Sequence, residues 1–184
     1  MRCFGDGDPL YEAYHDDEWG RPQLSERQLF EKVCLEGFQA GLAWITVLRK
    51  REALREVFGG FDPEVVADLD VEPLLADARL IRSRPKLQAC VTNARATLAL
   101  SGGLPDLVRA YATTGPAPED WSAVPASTPA SAALAKELKR AGFTFVGPVT
   151  AYSLLQACGL VGDHLRGCLV REEAEAERRA ALGL

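Results

Sequence analysis

The residue most suggestive of chemistry is a single carboxylate in an apolar segment. Residues 33–48 read VCLEGFQAGLAWITVL and carry one charge, Glu36. A carboxylate buried among apolar side chains without a partner is costly, or it takes up a proton. Because folding does not require such a residue, we interpret Glu36 as a candidate for catalysis or ligand recognition. Its position is equally compatible with a carboxylate that caps the N-terminus of a neighbouring helix.

Both histidines and two of the five cysteines form a second candidate group. Cys3 precedes His15 near the N-terminus, and Cys168 follows His164 by four residues. If residues 164–168 are helical, His164 and Cys168 share one face and can bind one zinc ion. Cys3 and His15 would complete a closed Cys2His2 site, with one structural Zn²⁺ per chain, that ties the chain ends together. The alternative is two surface histidines and two free thiols.

A third motif is a pair of helices joined by a short turn. Residues 138–152 read LKRAGFTFVGPVTAY, with one helix ending at Gly142 and the next beginning at Gly147. Backbone N–H groups at the second helix, where Gly147 permits close approach, suit a DNA phosphate, and Lys139 adds a cation. This layout predicts a helix-hairpin-helix. An αα-hairpin without a nucleic-acid role is the alternative.

Composition places these motifs in an ordinary globular chain. The sequence has 184 residues, 47% of them hydrophobic and 26% charged, which suffices for one domain with a sizeable core. No apolar run reaches membrane-spanning length and no signal-peptide pattern begins the chain, so we expect a cytoplasmic protein without membrane contact. Five cysteines in such a protein do not indicate a disulfide framework.

The charge distribution is ambiguous for nucleic-acid binding. The net charge of −5 counts weakly against it. Residues 79–95, however, carry Arg79, Arg82, Arg84, Lys86 and Arg95 and no acidic side chain. This stretch is either a basic surface that faces a polyanion or a solvated helix face.

Helical periodicity and capping signals predict an all-α protein. We expect the first twenty residues to form a loop, and a helix to begin at Ser25, where Gln28 completes a capping box, and to break at Gly37 and Gly41. A tail over residues 171–184 is either helical or disordered. Further helices are predicted over about 44–58, from Asp62-Pro63, over 71–76, 85–100, 105–112, 129–141 and 148–158, with a loop over 113–130.

Taken together, these segments resemble the family of bacterial 3-methyladenine DNA glycosylase I enzymes. The resemblance extends from Cys3 to Cys168. It implies a helix-hairpin-helix glycosylase fold over residues 1–170, with a small zinc lobe from about 1–20 and 160–170. The matching stretches are RCFGDGDPLYEAYHDDEWG, LFEKVCLEGFQAGLAWITVLRKRE, IRSRPKLQACVTNAR, PASAALAKELKRAGFTFVGPVTAYSLLQACGLVGDH and Gly167-Cys168.

The resemblance also implies roles for individual residues. It implies a zinc site on the four residues named above, and it makes Leu42, directly after Gly41, a wedge at the gap left by a flipped nucleotide. The implied base pocket comprises Glu36, Tyr14 and Trp44, with Tyr11 and Trp19 nearby.

The implied activity is hydrolysis of the N-glycosidic bond of 3-methyladenine in double-stranded alkylated DNA, the first step of base excision repair. Free 3-methyladenine is the product, and the protein is expected to act as a monomer. Glu36 would select the flipped cationic base by charge and hydrogen bonding, and Tyr14 and Trp44 by cation–π attraction. No lysine occupies the position of a Schiff-base nucleophile, which predicts a monofunctional enzyme. Asp163 is more consistent with a helix cap or an outer-shell zinc role than with catalysis.

Two positions depart from the family pattern. Relatives often carry Trp where this chain has Phe4, and Gln where it has Phe38. Phe38 could dry the site near Glu36 or alter contacts with DNA. A further hypothesis, motivated by Phe38, keeps the enzyme and extends its substrate range to 3-methylguanine. A competing hypothesis is a zinc-stabilised DNA-binding module without enzymatic activity, which would bind DNA through the hairpin and Lys139.

Overall fold

The computed structural model describes residues 1–184 and contains helices and no β-strand, which confirms the all-α prediction. Two 3-10 turns, Pro73–Ala76 and Trp121–Ala123, lie in the longer connections. None of the helices is both long and apolar enough to cross a lipid bilayer. The α-helices are α1 (Pro9–Asp17), α2 (Glu26–Gln39), α3 (Trp44–Val57), α4 (Pro63–Ala67), α5 (Arg84–Ala99), α6 (Gly103–Arg109), α7 (Pro129–Arg140), α8 (Pro148–Ala157) and α9 (Arg171–Leu182).

Side-chain caps begin four of the nine α-helices, namely α1, α2, α4 and α7. Ser25 and Gln28 form the predicted capping box of α2, and the Asp62 side chain caps α4. The expectation of a loop over the first twenty residues is wrong, because α1 begins at Pro9. Asp8 accepts hydrogen bonds from two backbone N–H groups there, and proline at the first helical position needs no hydrogen-bond partner.

The predicted break at Gly37 is also wrong. Helix α2 continues through Gly37 to Gln39, and the chain turns only at Gly41, whose φ of +77° suits glycine. The Lys86 ammonium group donates hydrogen bonds to the carbonyl oxygens of Phe38 and Ala40, at 2.9 and 2.5 Å. These bonds satisfy orphan carbonyl groups at the end of α2 and hold the turn that follows.

Helix α2 is the centre of the core. It packs against α3, α5, α6 and α8, and ten consecutive residues from Leu29 to Phe38 are buried. A helix surrounded in this way buries every face. This is why Glu36 lies inside the protein although it is charged.

Residues beyond 170 form α9, which packs against the body of the protein. The fully buried Arg178 donates to the carbonyl oxygens of Thr113 and Leu160 and to the Glu175 carboxylate. Arg21 forms ion pairs with Glu173 and with Glu177 of the same helix. The α9 helix therefore contacts the segments that follow α1, α6 and α8.

Candidate active site and metal centre

A cavity of about 240 Å³ lies between α1, α2, α3, α8 and the 3-10 turn at Trp121. All five residues of the predicted base pocket line it. This volume is below the roughly 300–1,000 Å³ of pockets for drug-sized molecules, and so it suits a smaller ring system. The lining residues are Phe4, Tyr11, Tyr14, Trp19, Glu36, Gln39, Trp44, Trp121, Ser153 and Gln156.

Glu36 contributes the only carboxylate of the cavity wall. Its side chain makes no hydrogen bond to the protein, so it does not cap a neighbouring helix. Burial raises the pKa of Glu36 to about 8, and the positive charge of Lys32 opposes this shift. The cavity therefore contains an acid that is poised near neutrality and lacks a partner within the protein.

A buried ionic cluster lies beside Glu36. Lys32, one helical turn earlier on α2, forms an ion pair with Glu18, which Arg51 also contacts at 2.6 Å. The Lys32 ammonium nitrogen lies 5.0 Å from the centre of the Tyr14 ring. The ion pair with Glu18 fixes the position of Lys32. From this position the positive charge of Lys32 acts on the Tyr14 ring and on the Glu36 carboxyl group.

The aromatic wall of the cavity contains an unpaired donor. The rings of Tyr14 and Trp44 lie 5.2 Å apart, and burial, followed by the charge of Glu36, raises the pKa of Tyr14. The indole nitrogen of Trp44 is buried without a hydrogen-bond partner. Because the indole nitrogen is sealed, the cavity wall offers a ligand the ring face of Trp44 and the unpaired carboxyl group of Glu36.

Trp121 is a cavity residue that sequence reasoning missed. It lies in the long loop between α6 and α7, and its ring is 6.3 Å from Phe4 and 6.2 Å from Trp19. Phe4 itself packs against Tyr11 at 5.0 Å and Trp19 at 5.1 Å. An aromatic wall thus exists at Phe4, and Trp121 extends it. Only a contact across more than a hundred residues brings Trp121 here, so no local pattern could have found it.

Phe38 does not reach the cavity. It is buried in the core, with its ring centre 6.5 Å from that of Phe58. The hypothesis that Phe38 dries the site is therefore wrong. Gln39, three residues after Glu36 and on the same helical face, supplies the polar amide of this region.

Asp163 is held by two donors outside the cavity. The Tyr152 hydroxyl group and the Gln156 amide nitrogen both donate to Asp163 Oδ2, at 2.5 and 2.8 Å. Asp163 is thus neither a helix cap nor a residue of the cavity wall. Its partner Gln156 does line the cavity, beside Ser153 on α8.

A groove runs from the cavity to the surface. It shares Glu36, Gln39 and Ser153 with the cavity and continues past Gly41 and Leu42 to the first turn of α8. Leu42 is 38% exposed. The predicted wedge therefore lies where the groove meets solvent.

The turn between α7 and α8 is fixed by a side chain from α5. The Asn93 amide accepts from the Thr144 backbone N–H at 2.8 Å and donates to the Thr144 carbonyl oxygen at 3.2 Å. Gly142 has a φ of +97°, and a Cβ at Gly147 would lie in open space. Lys139 is exposed at the end of α7. The predicted phosphate-facing residues thus share one solvent-accessible turn.

Four of the five cations in the basic stretch over residues 79–95 are bonded within the protein, two of them to carboxylates. Arg79 forms ion pairs with Asp77 and Glu56, and Arg84 with Glu72. Arg95 donates to a backbone carbonyl oxygen, as Lys86 does. This segment is therefore not a free basic face.

Four ligand-type side chains meet near the chain ends. The ligand atoms of Cys3, His15, His164 and Cys168 all lie within 4.8 Å of one another, and all four residues are buried. Such a group could hold a metal ion. The helical premise for His164 and Cys168 is wrong, because residues 164–168 form a turn rather than a helix. The set converges because α1 and this turn lie together.

Each histidine is oriented by its second ring nitrogen. His15 Nδ1 lies 2.7 Å from Asp16 Oδ1, and His164 Nε2 lies 2.9 Å from the Trp19 carbonyl oxygen. These contacts leave His15 Nε2 and His164 Nδ1 directed at the cysteines, as outer-shell partners do in metal sites. Burial lowers the pKa of His164 to about 4 and raises that of Cys3 to about 12. A neutral imidazole is ready to bind a cation, whereas the thiol needs the cation to ionise.

The all-helical fold and this cavity agree with comparisons to known proteins. The sequence profile of the family described as methyladenine glycosylase matches residues 4–172. The chain belongs to this family. Its α9 helix lies almost entirely beyond the matched region.

Individual relatives are similar over most of their length. DNA-3-methyladenine glycosylase 1 of Escherichia coli (strain K12) is 52% identical over 170 residues, which cover 88% of this chain and 91% of the relative. A crystal structure of 3-methyladenine DNA glycosylase I has a TM-score of 0.88 at 48% identity, and covers 92% of this chain and 98% of that chain. A variant of 3-methyladenine DNA glycosylase I in complex with 3-methyladenine has a TM-score of 0.87 at 34% identity, and covers 92% of this chain and 96% of that chain.

Proposed function

We propose that this protein hydrolyses the N-glycosidic bond of 3-methyladenine in double-stranded alkylated DNA and releases the free base. The observation that carries the proposal is Glu36, an unpartnered carboxylic acid in the wall of an aromatic cavity. Family membership and the 3-methyladenine complex of a relative support the choice of substrate.

Charge explains why such a cavity would favour a methylated base. Methylation at N3 makes the nucleotide's base cationic, and a cation beside Glu36 favours the ionised carboxylate over the acid. The faces of Tyr14 and Trp44 add cation–π attraction of roughly 0.5–2 kcal/mol. An unmodified, neutral adenine would gain neither charge term.

Hydrolysis then requires little acid–base assistance. The base departs with both electrons of the glycosidic bond, which neutralises its positive charge. The oxygen of a water molecule bonds to C1′, and the water proton passes to solvent. The protein's task is to extrude the nucleotide, which costs a few kcal/mol, and to hold the base. The groove past Gly41 and Leu42 is the path for the nucleotide, with Leu42 filling the gap in the duplex.

The hairpin between α7 and α8 would bind the DNA backbone. The Gly147 N–H donates no hydrogen bond within the protein and suits a phosphate, and the exposed Lys139 adds a positive charge. Such contacts position the protein without reading sequence. With the basic stretch largely paired internally, we expect modest rather than strong non-specific affinity.

The four ligand-type side chains would hold a structural zinc ion. In a tetrahedral site with Zn–S of about 2.3 Å and Zn–N of about 2.0–2.1 Å, sulfur and nitrogen ligands lie about 3.6 Å apart. The Cys168 sulfur lies 3.4 Å from His15 Nε2 and 3.4 Å from His164 Nδ1, and the Cys3 sulfur lies 3.7 Å from His164 Nδ1. Four protein ligands leave no open position, so the ion would fix the chain ends and take no part in hydrolysis.

Incubation with methylated duplex DNA, followed by chromatography of the released bases, tests the proposal. We expect 3-methyladenine as the main product. Protein that binds the DNA and releases no base would instead support a DNA-binding module without enzymatic activity.

A further inference from the structure

A second polar side chain in the cavity has one fixed orientation. Gln156 lines the cavity together with Glu36, and its amide nitrogen donates to Asp163 Oδ2 at 2.8 Å. A carboxylate only accepts hydrogen bonds here, so the nitrogen and not the oxygen of the amide must face Asp163. Tyr152 donates to the same carboxylate oxygen at 2.5 Å and holds it in place. The amide of Gln156 therefore cannot rotate freely.

This orientation leaves an acceptor for the cavity. The side-chain carbonyl oxygen of Gln156 has no hydrogen-bond partner in the protein, and it is accessible to solvent. The nitrogen and oxygen of an amide diverge from one carbon, so the oxygen is turned away from Asp163. Neither Asp163 nor Tyr152 lines the cavity. The polar atom that Gln156 offers to a ligand is thus its acceptor.

The Glu36 carboxyl group, by contrast, does not have one fixed hydrogen-bonding role. With a pKa of about 8, its carboxyl group can carry a proton at neutral pH and then donate as well as accept. A protonated Glu36 could donate to the O6 acceptor of a guanine, whereas the ionised form that a cationic base favours can only accept. Gln156 has no such second state while Asp163 holds it.

We infer that Gln156, oriented by Asp163, is a specificity-determining residue that favours purines with an amino group at position 6 over purines with a carbonyl group there. The inference rests on the proposed glycosylase function and deepens it. Asp163 is a positioning residue, because it acts through the Gln156 amide. A site built to accept from a donor disfavours an acceptor in its place, because two lone pairs would then face each other.

The test is the ratio of two bases released from one DNA sample. Methylated duplex DNA that contains both 3-methyladenine and 3-methylguanine is digested by wild type, Gln156→Met and Asp163→Asn. Methionine is close to glutamine in size and lacks the acceptor. An asparagine at position 163 can donate as well as accept, which frees the amide of Gln156 to turn. We expect both substitutions to lower the ratio of 3-methyladenine to 3-methylguanine by about five- to tenfold, which is the effect of one hydrogen bond.

The control is Gln88→Met, the same substitution at an exposed glutamine outside the cavity. It should leave the ratio within twofold of wild type, even if total release falls. Metal content and the melting temperature identify variants that fail to fold, and Gln156→Leu then replaces the methionine variant. An unchanged ratio in folded Gln156 and Asp163 variants would overturn the inference. Absence of any base release by wild type would instead overturn the proposed function.

Discussion

The indole nitrogen of Trp121 donates a hydrogen bond to the carbonyl oxygen of Cys3 at 2.8 Å. One residue thus joins the candidate metal centre to the wall of the cavity, because the Cys3 side chain faces the histidines and the Trp121 ring lines the cavity. The loop between α6 and α7 is also held near this end by Arg166, which donates its backbone N–H to the Pro118 carbonyl oxygen at 2.9 Å and forms an ion pair with Glu119. The position of the cavity wall therefore depends on the ordering of the segments that carry the four ligand-type residues.

Replacement of Trp121 should weaken binding of free 3-methyladenine. Trp121→Phe keeps most of the ring and loses the bond to Cys3, so we expect a roughly three- to tenfold higher Kd by calorimetry. Trp121→Ala also loses the ring and should have a larger effect. Ser127→Ala, at an exposed position of the same loop, is the control. Wild-type affinity in Trp121→Ala would show that this side chain does not contribute to binding of the base.

The titration of Glu36 should make stability depend on pH. Its ordinary pKa of 4.5 is raised to about 8 in the folded protein, so between these values the folded state keeps a proton that the unfolded chain releases. Glu36 therefore lowers the free energy of unfolding as the pH rises through this window. Glu36→Gln abolishes this dependence.

Urea unfolding at pH 5, 6.5 and 8 measures the effect. The stability of Glu36→Gln relative to wild type should increase from pH 5 to pH 8. Parallel pH profiles for the two proteins would contradict the raised pKa.

Gly20 should be required for metal binding. A Cβ at this position would lie 2.7 Å from His164 Nε2 and push the imidazole ring out of place. We expect purified Gly20→Ala to contain less than half of the wild-type metal by elemental analysis and to melt at a lower temperature. Gly7→Ala is the matched control, since Gly7 also has a positive φ but has open space around its Cβ. Equal metal content in both variants would exclude a steric role for Gly20.

Helix α9 should stabilise the body of the protein through one buried cation. Arg178→Met leaves the Thr113 carbonyl oxygen without its donor and the Leu160 carbonyl oxygen with only the Thr113 N–H, and we expect a loss of roughly 2–3 kcal/mol in the free energy of unfolding. Arg179→Met is the control, because this neighbour is exposed and also pairs with Glu175. A similar, small loss in both variants would show that α9 contributes only surface contacts.

The sequence predicted features with short-range causes. The capping residues Ser25 and Asp62 act on backbone groups two or three positions away, so their role can be predicted from the sequence alone. The pair Asp8-Pro9 carries the same signal as Asp62-Pro63, and α1 was within reach of sequence reasoning for that reason. Helical phase likewise distinguishes Gln39, on the face of Glu36, from Phe38.

Features that depend on contacts between distant parts of the chain could not be predicted from the sequence. Trp121 and Gln156 reach the cavity because distant elements pack together, and the role of Asp163 depends on a contact with Tyr152 from the preceding helix. The metal-ligand set was expected from residue types, although its helical rationale was wrong. Cysteine and histidine are chemically distinctive enough to indicate a set even when their local structure is misjudged.

The most direct test of the central claim compares base release by wild type, Glu36→Gln and Glu64→Gln from methylated duplex DNA. Glu64 is exposed and outside the cavity, so its variant removes the same charge elsewhere. We expect wild type and Glu64→Gln to release 3-methyladenine at similar rates, and Glu36→Gln to be at least about tenfold slower, equivalent to about 1.4 kcal/mol. Release by Glu36→Gln at the wild-type rate, or no release by wild type, would contradict the account.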